Sequence, residues 1–316
     1  MVCIHCSLKE ALPIERVAVP LFFMITGYYY PRLIEAGRFR GHLKKVMTMT
    51  LFATLFYAGY MVARQWHHGT LNTWLSEAFT WKHFVILLTR NDIGGVFADA
   101  GHLWYFYAVI YCLIIFRICE KPSILSRLLL YGVPLLWLIL VTLKYGFFNG
   151  SLVRNFLFFG IPCMMVGKCI REKRGKFLSF FQNKSFCYAV IAISLIMSYV
   201  EFYLRLHDMT NGNREVYVFT LPMAMALFYL ALHNPSFGAG SVFAKIGQRY
   251  SAYIYIFHAF LIIKIKPFVD MSSTSHTRIF LPFIIFALSL AMSVAYCWGK
   301  QLIVSCIARK SNSGQM

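Results

Sequence analysis

Residues 279–299 read IFLPFIIFALSLAMSVAYCWG, an unbroken run with no charged side chain. A helix rises about 1.5 Å per residue and the hydrocarbon layer of a bilayer is about 30 Å thick, so roughly 17 to 25 apolar residues cross it. This run therefore predicts a membrane-spanning helix. Seven more of the same kind lie at 45–63, 103–119, 125–143, 154–170, 186–204, 216–232 and 250–266. An earlier run, 17–34 (VAVPLFFMITGYYYPRLI), contains Pro20, Gly27 and Pro31, breakers that a bundle tolerates when neighbouring groups satisfy the freed backbone. Together these runs predict an all-α, polytopic membrane helical bundle of about nine spans.

Composition and charge agree with that fold. Apolar residues make up 59% of the chain and charged ones only 14%, against roughly 25% charged in soluble domains. The 31 Lys and Arg outweigh 12 Asp and Glu, for a formal charge of +19. In a soluble protein that excess points to nucleic acid. Here the basic residues sit between apolar runs, and no nucleic-acid partner is expected. With residues 35–44 placed in the cytoplasm, nineteen of the 31 basic residues fall on the cytoplasmic side, including the dense KCIREKRGK at 168–176. This positive-inside bias predicts a multi-pass protein of a bacterial inner (cell) membrane with a cytoplasmic C-terminus. Such clusters anchor helix ends among the headgroups of membrane lipids, and a dense one can also hold an anionic cytoplasmic cofactor. No repeat or flexible linker divides the chain, so one membrane domain is expected over 1–308, followed by a short polar cytoplasmic tail at 309–316 (RKSNSGQM).

Residues 1–8 (MVCIHCSL) are apolar but too few to cross, and they lack a basic n-region or a cleavage signal. They read as the outer end of a helix whose completion would raise the count to ten. The long connection 64–102 holds WKHFVILL at 81–88, with Lys82 and Arg90 as its bounds. That pattern predicts a segment lying along the interface or folding over the outer face as a lid. Cys112, Cys119, Cys163, Cys169, Cys187, Cys297 and Cys306 lie in or beside apolar helices with no CxxC spacing among them, and read as small buried hydrophobes. No HExxH or carboxylate cluster indicates a metal, and no glycine-rich phosphate loop follows a strand.

Ionisable side chains within a span face the bundle interior or an aqueous cavity, so a working site is sought among them. His5, Arg154, Glu201 and His258 hold such positions, with Arg16 at the entrance of the 17–34 run and His102 with Trp104 at the outer start of the 103–119 run. An imidazole can take a proton from a hydroxyl and return it to a leaving group at neutral pH, which suits acyl transfer. The same ring at His5 or His258 can instead make a structural hydrogen bond between helices. Glu201 can orient an imidazole, balance an arginine, or hold two helices in register.

Several blocks resemble one family. IHCS at 4–7 with ERVAVPLFFMITGYYYPR at 15–32, GHLWYFYAVIY at 101–111, RNFLFFGIPCMMVGK at 154–168 and IGQRYSAYIYIFHAFLI at 246–262 are similar, in order, to blocks of the membrane-bound acyltransferase 3 family. That family includes bacterial polysaccharide O-acetyltransferases and the membrane domain joined to vancomycin-type serine racemases. The resemblance implies a ten-helix enzyme that moves an acyl group, commonly acetyl, from cytoplasmic acyl-CoA to a hydroxyl or amino group of a glycan or lipid-linked sugar. It implies His5 as catalytic base or acyl relay, and Arg16, Arg154 and the polar ends near Tyr28 as contributors to the site. Glu201 and His258 would support the interior. Arg38, Arg40, Lys44 and Lys45 become the partners of the coenzyme A phosphates, with no metal. Members also carry an arginine further up the first helix, at a position that would precede Met1. Thr26 stands where serine is common and keeps a hydroxyl there. Polysaccharide export, small-molecule transport and sensing are the competing activities.

Overall fold

The computed structural model describes residues 9–120, 132, 154–173, 176–204, 216–271 and 275–313. Among them every regular element is helical. In chain order they are α1 (Leu12–Glu15), α2 (Ala18–Glu35), α3 (Phe39–His67), α4 (Leu71–Ala78), α5 (Trp81–Arg90), α6 (Trp104–Ile118), α7 (Ile161–Arg171), α8 (Lys184–Leu204), α9 (Thr220–His233), α10 (Val242–Met271) and α11 (Ser275–Ser313). A π-helical turn, Phe156–Gly160, runs into α7.

Among the described residues six helices are long and apolar enough to cross a membrane: Leu12–Glu35, Phe39–His67, Ala98–Ile118, Lys184–Leu204, Val242–Val269 and Ile279–Cys306. The runs at 216–232 and 154–170 appear as shorter helices, α9 and the turn leading into α7. The span expected at 125–143 lies outside the described residues. All-helical architecture is what an apolar layer imposes, because each helix satisfies its own backbone donors and acceptors. Large apolar side chains point outward along the spans, among them Leu51, Leu55, Ile193, Ile196, Phe283 and Trp298. Each would cost about 1.5–3 kcal/mol to leave in water, so this surface fits lipid. Cys112, Cys119, Cys163 and Cys187 are buried as expected, whereas Cys306 is exposed on α11.

The chain forms two compact units, the larger over Lys9–Pro235 and the smaller built on Ser236–Met316. In the larger one the helix directions follow from ring contacts. Phe22 and Phe23 near the start of α2 meet Tyr105 and Trp104 at the start of α6, while Tyr30 meets Phe116 further along. These two helices are therefore parallel. The π-helical turn and α7 run the same way, since Phe159 packs on Phe23 and Arg171 reaches Tyr28. Helix α3 is opposed to α6: Thr54 bonds Tyr107 at 2.8 Å, and Arg64 pairs with Asp99 at 2.7 Å. Helices α8 and α9 form an antiparallel pair. Lys184 Nζ donates to Asn234 Oδ1 at one end, and the Val218 amide donates to Glu201 Oε2 at the other.

The tightest crossing joins α2 to α7 through glycines. A Cβ on Gly27 would overlap the backbone of Met164, and one on Gly167 would overlap the backbone of Met24. Small residues let helix backbones touch where lipid supplies no hydrophobic drive for helices to associate. Pro20, in the first turn of α2, removes an amide that needs no intrahelical partner.

The smaller unit is a hairpin of α10 and α11, with Ile254 and Ile262 packed on Leu281 and Ile285. Tyr253 and Phe257 lie against Tyr296. Its buried serines return their protons to the preceding turn, Ser289 Oγ to Ile285 O and Ser293 Oγ to Ser289 O, both at 2.6 Å, which satisfies hydroxyls that lipid cannot.

Candidate functional site

The larger unit sorts its polar groups to two ends. At one end Tyr30, the last aromatic of α2, is a junction of four helices. Its ring packs on Phe39 of α3 and Phe116 of α6, with Lys168 of α7 at 6.0 Å from the ring centroid. Its hydroxyl donates to Glu120 Oε1 at 2.5 Å, and Arg117 pairs with the same carboxylate. Beside it Arg171 lies 5.3 Å from the Tyr28 ring and donates to its hydroxyl at 3.4 Å. Arg38, Arg40, Lys44 and Lys45 follow on the first turns of α3, all exposed to solvent. This end is strongly cationic, with Arg32, Arg117, Lys168, Arg171 and Lys173 added to those four against Glu35, Glu120 and Glu172.

Replacing Tyr30 by Phe keeps the four-helix ring packing and removes only the hydroxyl. A hydrogen bond to a charged group is worth about 1.5–3 kcal/mol, so Tyr30→Phe should lower the thermal midpoint of the purified protein by that equivalent. Glu120→Gln should fall between the two, because an amide still accepts. An unshifted melt for Tyr30→Phe would remove Glu120 as its partner.

The opposite end carries the other arginines. Arg154 lies 6.0 Å from the centroid of the Trp104 indole, a cation over a ring face. The backbone around it is set by two asparagines. Asn155 caps the π-helical turn, its Oδ1 accepting from the Phe158 amide at 2.8 Å. Fully buried Asn91 ends α5 in the left-handed region, at φ 50°, where asparagine is tolerated. Its Oδ1 accepts from the Phe156 amide at 2.7 Å and its Nδ2 donates to Trp104 O at 3.0 Å. One side chain thus joins the 64–102 connection, the start of α6 and the segment carrying Arg154. Next to this clip His102 is buried, its ring 5.1 Å from Tyr57.

Arg16 sits at the break between α1 and α2, its amide donating to Leu12 O at 3.1 Å. Leu12 packs with Phe202 and Tyr217, and Tyr199 Oη donates to Glu10 O at 2.8 Å. These contacts bring the Arg16 segment to the end of α8 that holds Glu201. The carboxylate of Glu201 ties α8 to the lead-in of α9 through the Val218 amide at 2.9 Å. Arg16, Arg154 and Glu201 therefore share one end of the larger unit, away from Arg38, Arg40, Lys44 and Lys45 at the start of α3. Thr26, two turns into α2, donates to Phe22 O at 2.9 Å.

His258 belongs to the smaller unit, fully buried on α10. Its Nδ1 lies 2.7 Å from Tyr255 O. A carbonyl only accepts, so Nδ1 carries the proton of this bond. His5 lies outside the described residues. Among those described, no group of three or more His, Cys, Asp or Glu could hold a metal ion.

Two structural features escaped the sequence reading. Tyr30 and Glu120 stand ninety positions apart, and nothing in YYYP or RICEK links them beyond the Arg117–Glu120 helical spacing. Asn91 looks like a turn residue before Asp-Ile-Gly-Gly, and only its burial shows the clip.

Compared with known proteins, the chain matches a family profile described as "Acyltransferase domain" over residues 1–301. The match carries no relation to the serine racemases. No curated protein and no solved structure matches the chain.

Proposed function

Because the chain belongs to this acyltransferase domain family, we propose that it is a membrane acyltransferase of the bacterial inner membrane. It takes an acyl group, commonly acetyl, from cytoplasmic acyl-CoA and delivers it to a hydroxyl or amino group of a cell-envelope glycan or lipid-linked sugar. The observation that carries this reading is the family match, which covers nearly the whole chain. The distribution of charge supports the orientation. The cationic Tyr30 end faces the cytoplasm and the Trp104 end faces outward, as the positive-inside rule requires.

On that orientation the exposed Arg38, Arg40, Lys44 and Lys45 meet the phosphates of acyl-CoA. His5 acts as base or acyl relay: it accepts the proton of the acceptor hydroxyl as the new acyl–oxygen bond forms, and the thioester carbon–sulfur bond breaks to leave coenzyme A, whose thiolate is then protonated. Arg16 and Arg154, at the outward end, stabilise the oxyanion of the tetrahedral intermediate, because a fixed cation in a weakly screening interior is worth several kcal/mol there. Glu201 holds α8 to α9, and His258 supports the interior of the hairpin through its Nδ1 bond to Tyr255 O.

His5→Ala, purified in detergent, should lose coenzyme A release in the presence of envelope glycan while its helix content by circular dichroism stays as in the parent. Undiminished transfer would take His5 out of the mechanism. In a deletion strain, envelope glycans should lack one acyl mass per modified sugar. A missing polymer would replace the enzyme reading with export.

A further inference from the structure

The external connection carries an apolar surface that neither the core nor the proposed chemistry uses. Along α5, Trp81, Phe84, Val85 and Leu88 follow the i, i+3, i+4, i+7 spacing of one helix face, and they are 75%, 48%, 37% and 51% exposed. The other face is fastened down. The His83 ring is bonded to Ala78 O at 2.9 Å and lies where a methyl on Gly95 would sit. Leu87 O accepts from Tyr111 Oη at 3.2 Å, and Asn91 clips the end of the helix to Trp104. A mobile flap would not be tied at three points, and a lid would turn its apolar stripe inward toward Arg154 and Trp104.

Depth follows from the same contacts. Tyr111 lies seven residues into α6, about 10 Å along its axis. Leu87 thus stands beside the second turn of α6 rather than above its end, within reach of the apolar layer. The flanking spans also expose apolar side chains, Val62 on α3 and Ile114 on α6, so the stripe continues a lipid-facing surface. Lys82 and Arg90 bracket it as headgroup partners, and Trp81 leads it, the residue type enriched where one edge is wet.

We propose that α5 is a re-entrant interfacial helix whose Trp81, Phe84, Val85 and Leu88 stripe is seated among the acyl chains of bilayer lipid at the Trp104 end of the bundle. Its backbone tolerates that depth because the helix satisfies its own interior and Tyr111 donates to the last-turn carbonyl of Leu87.

The test uses the full chain in phosphatidylcholine nanodiscs, with lipids brominated high or low on the acyl chain. The emission lost on Trp81→Phe isolates the contribution of Trp81. We expect bromine placed high on the chain to quench that contribution and leave little difference between the parent and Trp81→Phe. A second variant, Leu88→Trp in the Trp81→Phe background, should gain an emission that bromine also quenches. If neither indole responds to bromine at either depth, the stripe faces water or protein and the proposal is wrong. Neither result bears on acyl transfer.

Discussion

Gly27→Ala and Gly167→Ala should each lower the melting temperature of the purified protein steeply and reduce the yield of monodisperse protein in detergent. The added methyl has nowhere to go. On Gly27 it would overlap the Met164 backbone, and on Gly167 the Met24 backbone. Flexible side chains can turn away from such a clash, but backbone atoms move only if the helices separate. Overpacking of this kind costs about 1–3 kcal/mol and more when a backbone must shift, and separation also loosens Phe23 from Phe159 and Arg171 from Tyr28. The double variant should cost less than the two singles together, because axes pushed apart by one methyl leave room for the second. Gly59, inside α3 with no atom within 4 Å of an added Cβ, supplies the control. Gly59→Ala should be neutral or gain about 0.5–1 kcal/mol from helix propensity. Equal melts for all three would mean that α2 and α7 do not meet backbone to backbone. Gly160→Ala should be intermediate, since its methyl meets Cys112 Sγ at 2.6 Å and the Phe23 ring at 3.0 Å, side chains that can yield.

Asn91→Ala should be nearly as damaging by a different route. The Phe156 amide opens the π-helical turn and has no partner within it, so Asn91 Oδ1 acts as a cap supplied from sixty-five residues away. Removing it leaves a half-buried donor unsatisfied, at about 1 kcal/mol or more. Alanine at φ 50° adds left-handed strain of about 1–2 kcal/mol. Asn91→Gly should therefore be milder than Asn91→Ala, because it removes the hydrogen bonds without the strain. Asn91→Asp keeps the acceptor for Phe156 but turns a carboxylate oxygen toward the carbonyl of Trp104, and it should match or exceed the cost of alanine. Thermal melting orders the three. Acyl transfer should fall in the same order if the Arg154–Trp104 arrangement serves the reaction. Melts indistinguishable from the parent would show that the 64–102 connection is not held through this side chain.

The apolar runs were legible because a span is a local property. The transfer of twenty consecutive side chains into lipid depends on which residues stand in the window, not on what they touch. The six helices found at the expected places begin or end a few residues beyond the apolar runs, since polar and aromatic residues such as Phe39–Leu43 and His67 continue the helix past the layer. Two runs came out shorter. At 154–170 Asn155 starts a π-helical turn and Pro162 begins α7, so one apolar stretch holds two geometries. The segment at 81–88 was ambiguous between interface and lid, because amphipathicity says that one face is apolar without saying where it points.

The site residues divide in the same way. That Arg154, Arg16 and Glu201 are polar groups in costly places could be read from the chain, as could the cations Arg38, Arg40, Lys44 and Lys45 on one side of the membrane. The chain by itself thus determined a helical membrane protein, its charge asymmetry and its family resemblance, since all three are carried by residue type and order. Only the tertiary structure decided that Arg154 rests on Trp104, that Asn91 holds the ends together, that Tyr30 gathers four helices and that Gly27 and Gly167 let two backbones meet. Each of those is a contact between residues far apart in sequence, fixed by the angle and depth at which helices cross, and no local pattern of polarity specifies that geometry.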